Sequence, residues 1–410
     1  MPIERAAIVD PYSSGAMLAP ELAKMGCRCV AVQSAADVPP LFRSSFHPAD
    51  FTEIIVHEGD CAATAAKLRE LKVQALLPGS EMGVELADQL CDRLGLPSNG
   101  IGHSKARRDK FLMSEAVRAA GLRTPQQVCS GELPEILTWT RSHGRWPVIV
   151  KPVEACASDG VQSCAGEAEV QSAFQQIVGR RNMLGLVNEA ALAQEFLSGS
   201  EYVVDTVSCE GRHRVTAFWK YHKPQNSSSF VSYDAMELLA YDGDVQEKLR
   251  AYATAALDAL EIRIGPAHCE LMWVDDQPVL MEIGARLSAG NNATLSRTCG
   301  GVCALDLTIA AYLDPRGFAA GIESHPKLKL AAANFFLIPG KTGRLKSLPR
   351  VDEIRALRSF NRMSIGAKVG EPLGRVAGAV TLVHPDRAVI LEEIQALREL
   401  QDHGFYEVGP

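Results

Sequence analysis

"AHCELMWVDDQPVLMEIGARLSAGNN", residues 267–292, decides how this chain is read. Two apolar runs, "HCELMWV" and "PVLMEI", flank Asp275-Asp276, a dipeptide suited to a tight turn, so the stretch reads as a β-hairpin. Each strand carries one acid, Glu270 and Glu282, twelve residues apart. A register that sets them side by side leaves two carboxylates repelling one another unless a cation lies between them. A divalent ion of the Mg²⁺ kind, which prefers hard oxygens, removes that repulsion. The alternative pairs one glutamate with Arg286 on a sheet edge. Beyond Glu282 the chain enters a Gly- and Ser-rich loop, too small and polar to pack, with Arg286 four residues on.

The surrounding chain is that of an ordinary globular protein. Its 410 residues are 47% hydrophobic and 22% charged, enough apolar material for two to four structural units. The net charge of −7 argues against a nucleic-acid partner, which normally demands a basic surplus. Eleven cysteines are scattered, without CxxC or zinc spacing, as expected of a cytoplasmic protein in which each acts as a small hydrophobe. No apolar run approaches the ~20 residues of a membrane span, and the N-terminus lacks a signal-peptide pattern.

Upstream, "AAIVD", "CRCVAVQS", "FTEIIVHE" and "VQALLPG" alternate with helix-length segments, which implies an open parallel α/β sheet over residues 1–100. "YSSG" does not complete the GxGxxG fingerprint, so nicotinamide binding is poorly supported. From residue 101 the pattern changes to a charged helix, a buried strand "WPVIVKP", long antiparallel strands turning at Glu210-Gly211, and the opening hairpin. Residues 316–410 read as a small α+β unit.

Two lysines fit this picture. Lys110 opens a helix, and Lys151 ends an apolar strand, a position costly to keep dry unless an anion meets it. The loop Ala155–Val161 beyond it lacks bulk, so its amides can approach phosphates closely, although it is no Walker A loop. A solvated lysine at a strand exit is the competing explanation. In "LAQEFLSGSEYVVD", Glu195, Phe196 and Leu197 form a strand-to-loop connector and Glu201 comes soon after; it suits adenine and ribose contacts or an ordinary turn.

The order of these parts, a lysine, a strand-end lysine with a small loop, "QEFL…E", then E…ExxxR, resembles the ATP-grasp superfamily over nearly the whole chain. "LLPGSEMGVELADQL", "RRDKFLMSEAVRAAGLRTPQ", "FWKYHKPQ", "MEIGARLSAG" and "AAANFFLIPG" are similar to carboxylate–amine ligases that join two L-amino acids. The resemblance implies an α/β ATP-grasp fold. Its units are an N-terminal domain at 1–100, an ATP-grasp domain at 101–315 with a lid at about 125–205, and a C-terminal unit at 316–410 completing the site. It assigns Lys110, Lys151, Ser158, Gly160 and Val161 to the phosphates, Glu195, Phe196 and Leu197 to adenine, and Glu201 to the ribose. Glu270 and Glu282 would carry Mg²⁺, with Mn²⁺ as a substitute. His268, Arg286, Ser288, Gly290 and Asn291 would face the amino acids, Arg286 gripping the carboxylate through its planar fork. The chain departs from the pattern at Glu282-Ile283-Gly284, where many members have ExN, and at Ala289, where the first Gly of GARxxGG is common.

The expected activity is ATP-driven dipeptide synthesis through an aminoacyl phosphate by a cytoplasmic enzyme, with a homodimer through the N-terminal domain. The rivals are a ligase for another carboxylate and amine, a bicarbonate-using carboxylase component, and a non-catalytic nucleotide-binding relative. Lys220 and Lys223 remain open between phosphate contact and a solvated face. Cys156, with no evident histidine partner, reads as packing.

Overall fold

The computed structural model describes residues 3–156, 158–223, 233–321, 326–339, 343–366, 368–374, 376–402 and 404–409. Ala- and Val-rich runs near the N-terminus pair as β1 (Arg5–Val9), β2 (Arg28–Gln33), β3 (Glu53–Val56) and β4 (Ala75–Pro78), all parallel in the order β3-β2-β1-β4. Helices α1 (Leu18–Lys24) and α2 (Cys61–Glu70) lie in the crossovers, and α3 (Val84–Leu94) comes after β4. One sheet face packs Val9, Val30 and Val32 with Leu68 and Leu90. On the other, Ala6, Ile8 and Leu22 join the core of a larger antiparallel sheet, which docks the two units. Asn99 Oδ1 reinforces the junction by accepting from the amides of Arg263 and Ile264 at 2.7 and 2.8 Å.

Helix α4 (Lys110–Ala119) starts at Asp109, whose side chain accepts from the Leu112 amide at 2.9 Å, an N-cap that fixes where Lys110 stands. Next come β5 (Gln127–Ser130), α5 (Leu133–His143), β6 (Val148–Pro152), β7 (Gln162–Cys164), α6 (Glu167–Ile177) and β8 (Ala191–Glu195). They form an antiparallel sheet, β5-β8-β6-β7, with its own core of Ile136, Val148, Val150, Ala173 and Ile177.

The largest sheet runs β13-β12-β9-β10-β11-β14-β17-β16 and is antiparallel throughout. It contains β9 (Ser200–Cys209), β10 (Arg212–His222), β11 (Ala235–Leu239), β12 (Gly265–Val274), β13 (Gln277–Gly284) and β14 (Ala331–Leu337). Of the remaining strands, β15 (Arg344–Ser347) lies outside it, β16 (Phe360–Ile365) and β17 (Gly378–His384) belong to it, and β18 (Glu407–Gly409) pairs with β15. Helix α7 (Asp244–Ala259) packs Leu249, Ala253, Ala256 and Leu257 into the main core.

One boundary differs from the sequence reading. The small sheet ends at Glu195, whereas the lid was expected to run to about 205, because β9 belongs to the large sheet. Within 316–410, β14 pairs with β11 and covers an edge that would otherwise be exposed, and β17 and β16 continue the same sheet. The helix Arg387–Asp402 fastens this extension, with Arg398 donating to Asp234 at 2.6 and 2.7 Å and Arg387 pairing with Glu237. All eleven cysteines are free. Among the described residues no helix is long and apolar enough to cross a membrane.

Candidate active site

The opening hairpin has a feature that its spacing hides. Asp275 and Asp276 both take positive φ, 52° and 59°, as a two-residue hairpin turn requires. Continued unchanged from Val274↔Gln277 and Leu271↔Leu280, that register sets Met281 opposite Glu270 and turns Glu282 to the other face. Instead a bulge inserts Met281 as an extra residue in β13, and the pairs become Glu270↔Glu282, Cys269↔Ile283 and His268↔Gly284. The bulge brings the two carboxylates abreast.

Around them gather cations from three other elements. Lys110 Nζ, at the start of α4, lies 2.9 Å from Glu282 Oε1 and donates to the Ala155 carbonyl at 2.7 Å. Burial opposes its charge, but Glu282 and Glu81 outweigh burial and raise its pKa. Lys151, at the end of β6, is buried and has no ion pair among the described residues. Burial, and then the charge of Lys110, drive its pKa down to about 8. Glu282 and Glu270 offset this only in part, and a buried lysine so strongly perturbed in a cleft is a mark of a functional site. Burial raises Glu282, whose proton affinity is pushed further by Glu81 and Glu270 against the pull of Lys110. Glu270 goes the other way: its burial is overcome by the hydrogen bond and charge of His268, so its pKa falls.

Arg286 is held on two sides. Its guanidinium lies 3.3 Å from Glu81 Oε2 and donates to the Leu287 carbonyl at 3.1 Å. A Cβ added at Gly284 would sit 3.4 Å from that guanidinium, in van der Waals contact with it, so a longer side chain there would have to share the space with Arg286. Glu81 also pairs with Arg108 at 3.0 Å. Its burial would raise its pKa, yet Arg286, Arg108 and Lys110 together hold it at about 2. His268 bridges Asp205 at 2.6 Å and Glu270 at 3.3 Å, while Trp219 Nε1 donates to the second Asp205 oxygen at 2.7 Å. Burial disfavours the imidazolium, but Asp205 and Glu270 raise its pKa to about 9.

One cleft is lined by Lys110, Lys151, Ser158, Val161, Glu201, His268, Glu270, Glu282 and Arg286. Gly160, at φ +69°, packs against Pro152 beside this lining; Ala157 of the same loop lies outside the described residues. Lys223 joins the wall through its 3.2 Å pair with Glu201, whereas Lys220 lies over the Tyr202 ring instead. Glu195, Phe196 and Leu197 are not among the residues that line this cleft. Glu195 accepts from the Gln126 amide at 3.1 Å, and Leu197 is buried with Met272 and Val279. The cleft opens into a second chamber of about 470 Å³ that shares Glu81, His268, Glu270 and Arg286 with it. Ser288, Gly290 and Asn291 line that chamber, as do the aromatic residues Tyr12, Phe42 and Tyr233. Asn291 and Asn292 are tied to Asn334 at 2.9 and 2.6 Å.

Sequence reasoning missed Glu81, Arg108 and Asp205. The signal for Glu81 was present: it stands directly after "LLPGS", just beyond the carboxyl end of a parallel strand, where α/β sheets place ligands. Asp205 gave none, being one acid within a long strand.

Glu270 and Glu282 offer four hard oxygens on neighbouring strands, a donor set that fits Mg²⁺ completed by phosphate or water oxygens. Among the described residues no group of three or more His, Cys, Asp or Glu is arranged to hold a metal on its own, so such an ion would depend on its nucleotide.

A cleft of this make-up between a lid sheet and a larger antiparallel sheet defines an ATP-grasp protein, and the chain belongs to the ATP-grasp family of ligases. The family's ATP-grasp domain model matches residues 144–295. The chain is 30% identical to dapdiamide A synthase of Enterobacter agglomerans over 98% of its own length and 96% of that protein's. Among solved structures, L-amino acid ligase from Bacillus licheniformis superposes with a TM-score of 0.78 at 18% identity, covering 100% of both chains. The biotin carboxylase domain of 2-oxoglutarate carboxylase from Hydrogenobacter thermophilus, in complex with MgADP and bicarbonate, superposes with 0.67 at 12% identity, over 100% of this chain and 91% of that one.

Proposed function

We propose that this protein is an ATP-dependent ligase that joins two L-amino acids through an aminoacyl phosphate, releasing ADP and phosphate. The observation that carries this reading is the shared wall of cleft and chamber. An anion-binding cleft with two abreast carboxylates opens, past Arg286, directly into a space large enough for two small organic substrates. The similarity to dapdiamide A synthase, 30% identical over 98% of this chain, favours amide formation over the carboxylase alternative.

In this reading Lys110, Lys151 and the loop with Ser158, Gly160 and Val161 hold the triphosphate, and Glu201 meets the ribose. The backbone of residues 195–197 would border adenine. Glu270 and Glu282 would hold Mg²⁺, which neutralises phosphate charge and fixes the γ-phosphoryl group when bound. The acyl donor's carboxylate oxygen attacks the γ-phosphorus, the bond to ADP breaks, and an acyl phosphate forms. The amine of the second amino acid, having lost its proton, then attacks the acyl carbon, and phosphate leaves as the amide forms. Arg286 is charged throughout, since Glu81, Glu282 and Glu270 outweigh its burial. It orients the carboxylate and balances the oxyanion of the tetrahedral intermediate. The lid sheet, which carries Lys151 and the small loop, shields the acyl phosphate from water.

The test is a phosphate-release screen of amino-acid pairs, with mass spectrometry of the products, and then ¹⁸O-labelling of the acyl donor's carboxylate. One ¹⁸O in the released phosphate is the expected result. Unlabelled phosphate, or release equal with single acids and pairs, would contradict the mechanism. Arg286→Ala should abolish ligation while retaining much of the ATP binding.

A further inference from the structure

Past its junction with the cleft, the chamber changes character. Glu81, His268, Glu270 and Arg286 line both spaces, and among the described residues the rest of the chamber lining carries no charged side chain. Several of the polar groups there are already engaged. Asn291 and Asn292 are tied to Asn334, Ser14 Oγ donates to the Leu287 carbonyl at 3.0 Å, and Ser45 Oγ donates to the Phe42 carbonyl at 2.8 Å. Apolar side chains are left open instead. Leu41, in the short 3₁₀ helix Pro40–Ser45, lines the chamber and is 43% exposed, with Phe42 half-buried beside it.

The segment after α6 adds a wall of its own. The chain doubles back there: the Asn182 amide donates to the Leu186 carbonyl and the Asn188 amide to the Arg180 carbonyl, both at 2.9 Å. Met183, Leu186 and Val187 of this turn are exposed. Leu184 is only 3% exposed and lines the chamber, yet it joins none of the core's apolar clusters among the described residues. Two bonds fasten the turn to the small loop. Asn182 Nδ2 donates to the Glu154 carbonyl at 2.6 Å, and the Asp159 carboxylate accepts from the Met183 amide at 2.7 Å. Asn182 Oδ1 also accepts from the Leu184 amide at 3.0 Å, so the leucine is held at a fixed place.

Resting on the ligase reading, we propose that one of the two joined amino acids carries an apolar side chain, which packs in the chamber against Leu41, Phe42 and Leu184. The reacting carboxylate needs the charges at the junction, which leaves the side chain to the uncharged region beyond. A charged side chain lodged there would lose its hydration without gaining a counter-charge, whereas an apolar one removes Leu41 and Phe42 from water. Leu184, being fixed, selects by size.

The test takes an amino-acid pair that the screen shows to be joined and varies each position in turn among leucine, the similarly branched aspartate, and alanine. In one of the two positions, wild type should favour leucine over aspartate by roughly 100-fold or more in kcat/KM. Leu41→Lys, at an exposed position, brings a positive charge to the chamber and should narrow that ratio at least about 10-fold. Leu184→Ala should lower the ratio of leucine to alanine roughly 10- to 100-fold. A merely structural loss would lower activity on all three amino acids alike and leave both ratios where they were. Aspartate accepted as well as leucine or better in both positions, or either variant keeping the wild-type ratio, overturns the proposal alone. Failure of the wild type with every amino-acid pair overturns the ligase reading and this proposal with it.

Discussion

Replacing Lys151 with methionine should make the free protein more stable while removing its hold on ATP. Lys151 is buried without an ion pair among the described residues, and its pKa falls from 10.5 to about 8 on folding, first through burial and then through Lys110. The folded state therefore gives up a proton that the unfolded chain keeps. Stability rises with pH between about 8 and 10.5, and below about 8 the full cost of the buried charge is carried. At about 1.36 kcal/mol per tenfold change in proton affinity, the drop amounts to about 3 kcal/mol. Methionine keeps an unbranched stem of similar size and has no charge to desolvate. Urea unfolding at pH 7 without nucleotide should show Lys151→Met more stable by about 2–3 kcal/mol, the gap closing toward pH 10.5. Saturating MgATP should raise the unfolding temperature of wild type and not of the variant. A variant less stable than wild type at pH 7, a gap indifferent to pH, or equal protection by MgATP would refute the reasoning.

Deleting Met281 removes the bulge but lets Leu271↔Leu280 be followed directly by Glu270↔Glu282, so the carboxylates stay abreast; turnover should stay within about 10-fold of wild type, with the far-ultraviolet circular dichroism unchanged. Gly284→Asn places a side chain where only 3.4 Å separates a Cβ from the Arg286 guanidinium. It should lower kcat at least about 10-fold with little change in ATP affinity, as read by steady-state kinetics and calorimetry. Asp205→Asn removes the partner that, against burial, raises the His268 pKa from 6.5 to about 9. Because the folded value is the higher one, that stabilisation is complete below pH 6.5 and lost as pH rises through about 9. The variant should therefore be less stable by about 1–3 kcal/mol at pH 6, with the difference vanishing above pH 9 in urea titrations.

The fold was legible where periodicity and order carry it. Four short apolar runs separated by helix-length segments gave the parallel sheet, and Asp275-Asp276 gave the hairpin. The abreast glutamates were anticipated for a reason the spacing alone does not support, since a regular hairpin from that turn pairs Glu270 with Met281. A one-residue bulge leaves no mark in the hydrophobic pattern and is settled by how both strands pack. The continuation of the large sheet through β14, β17 and β16 was hidden for a related reason, because pairing across nearly a hundred residues of intervening chain depends on tertiary fit. At the site, Lys110, Lys151 and Arg286 stood out as charges at element ends. Asp205 and Arg108 act through partners distant in sequence, so only the folded chain shows what they hold.

The most direct examination of the central claim is a crystal structure with Mn²⁺ and a non-hydrolysable ATP analogue, read by anomalous scattering. The predicted result is a manganese peak roughly 2.0–2.3 Å from carboxylate oxygens of both Glu270 and Glu282, with the triphosphate against Lys110 and Lys151. A metal bound elsewhere, or a nucleotide whose phosphates avoid those two lysines, would contradict it.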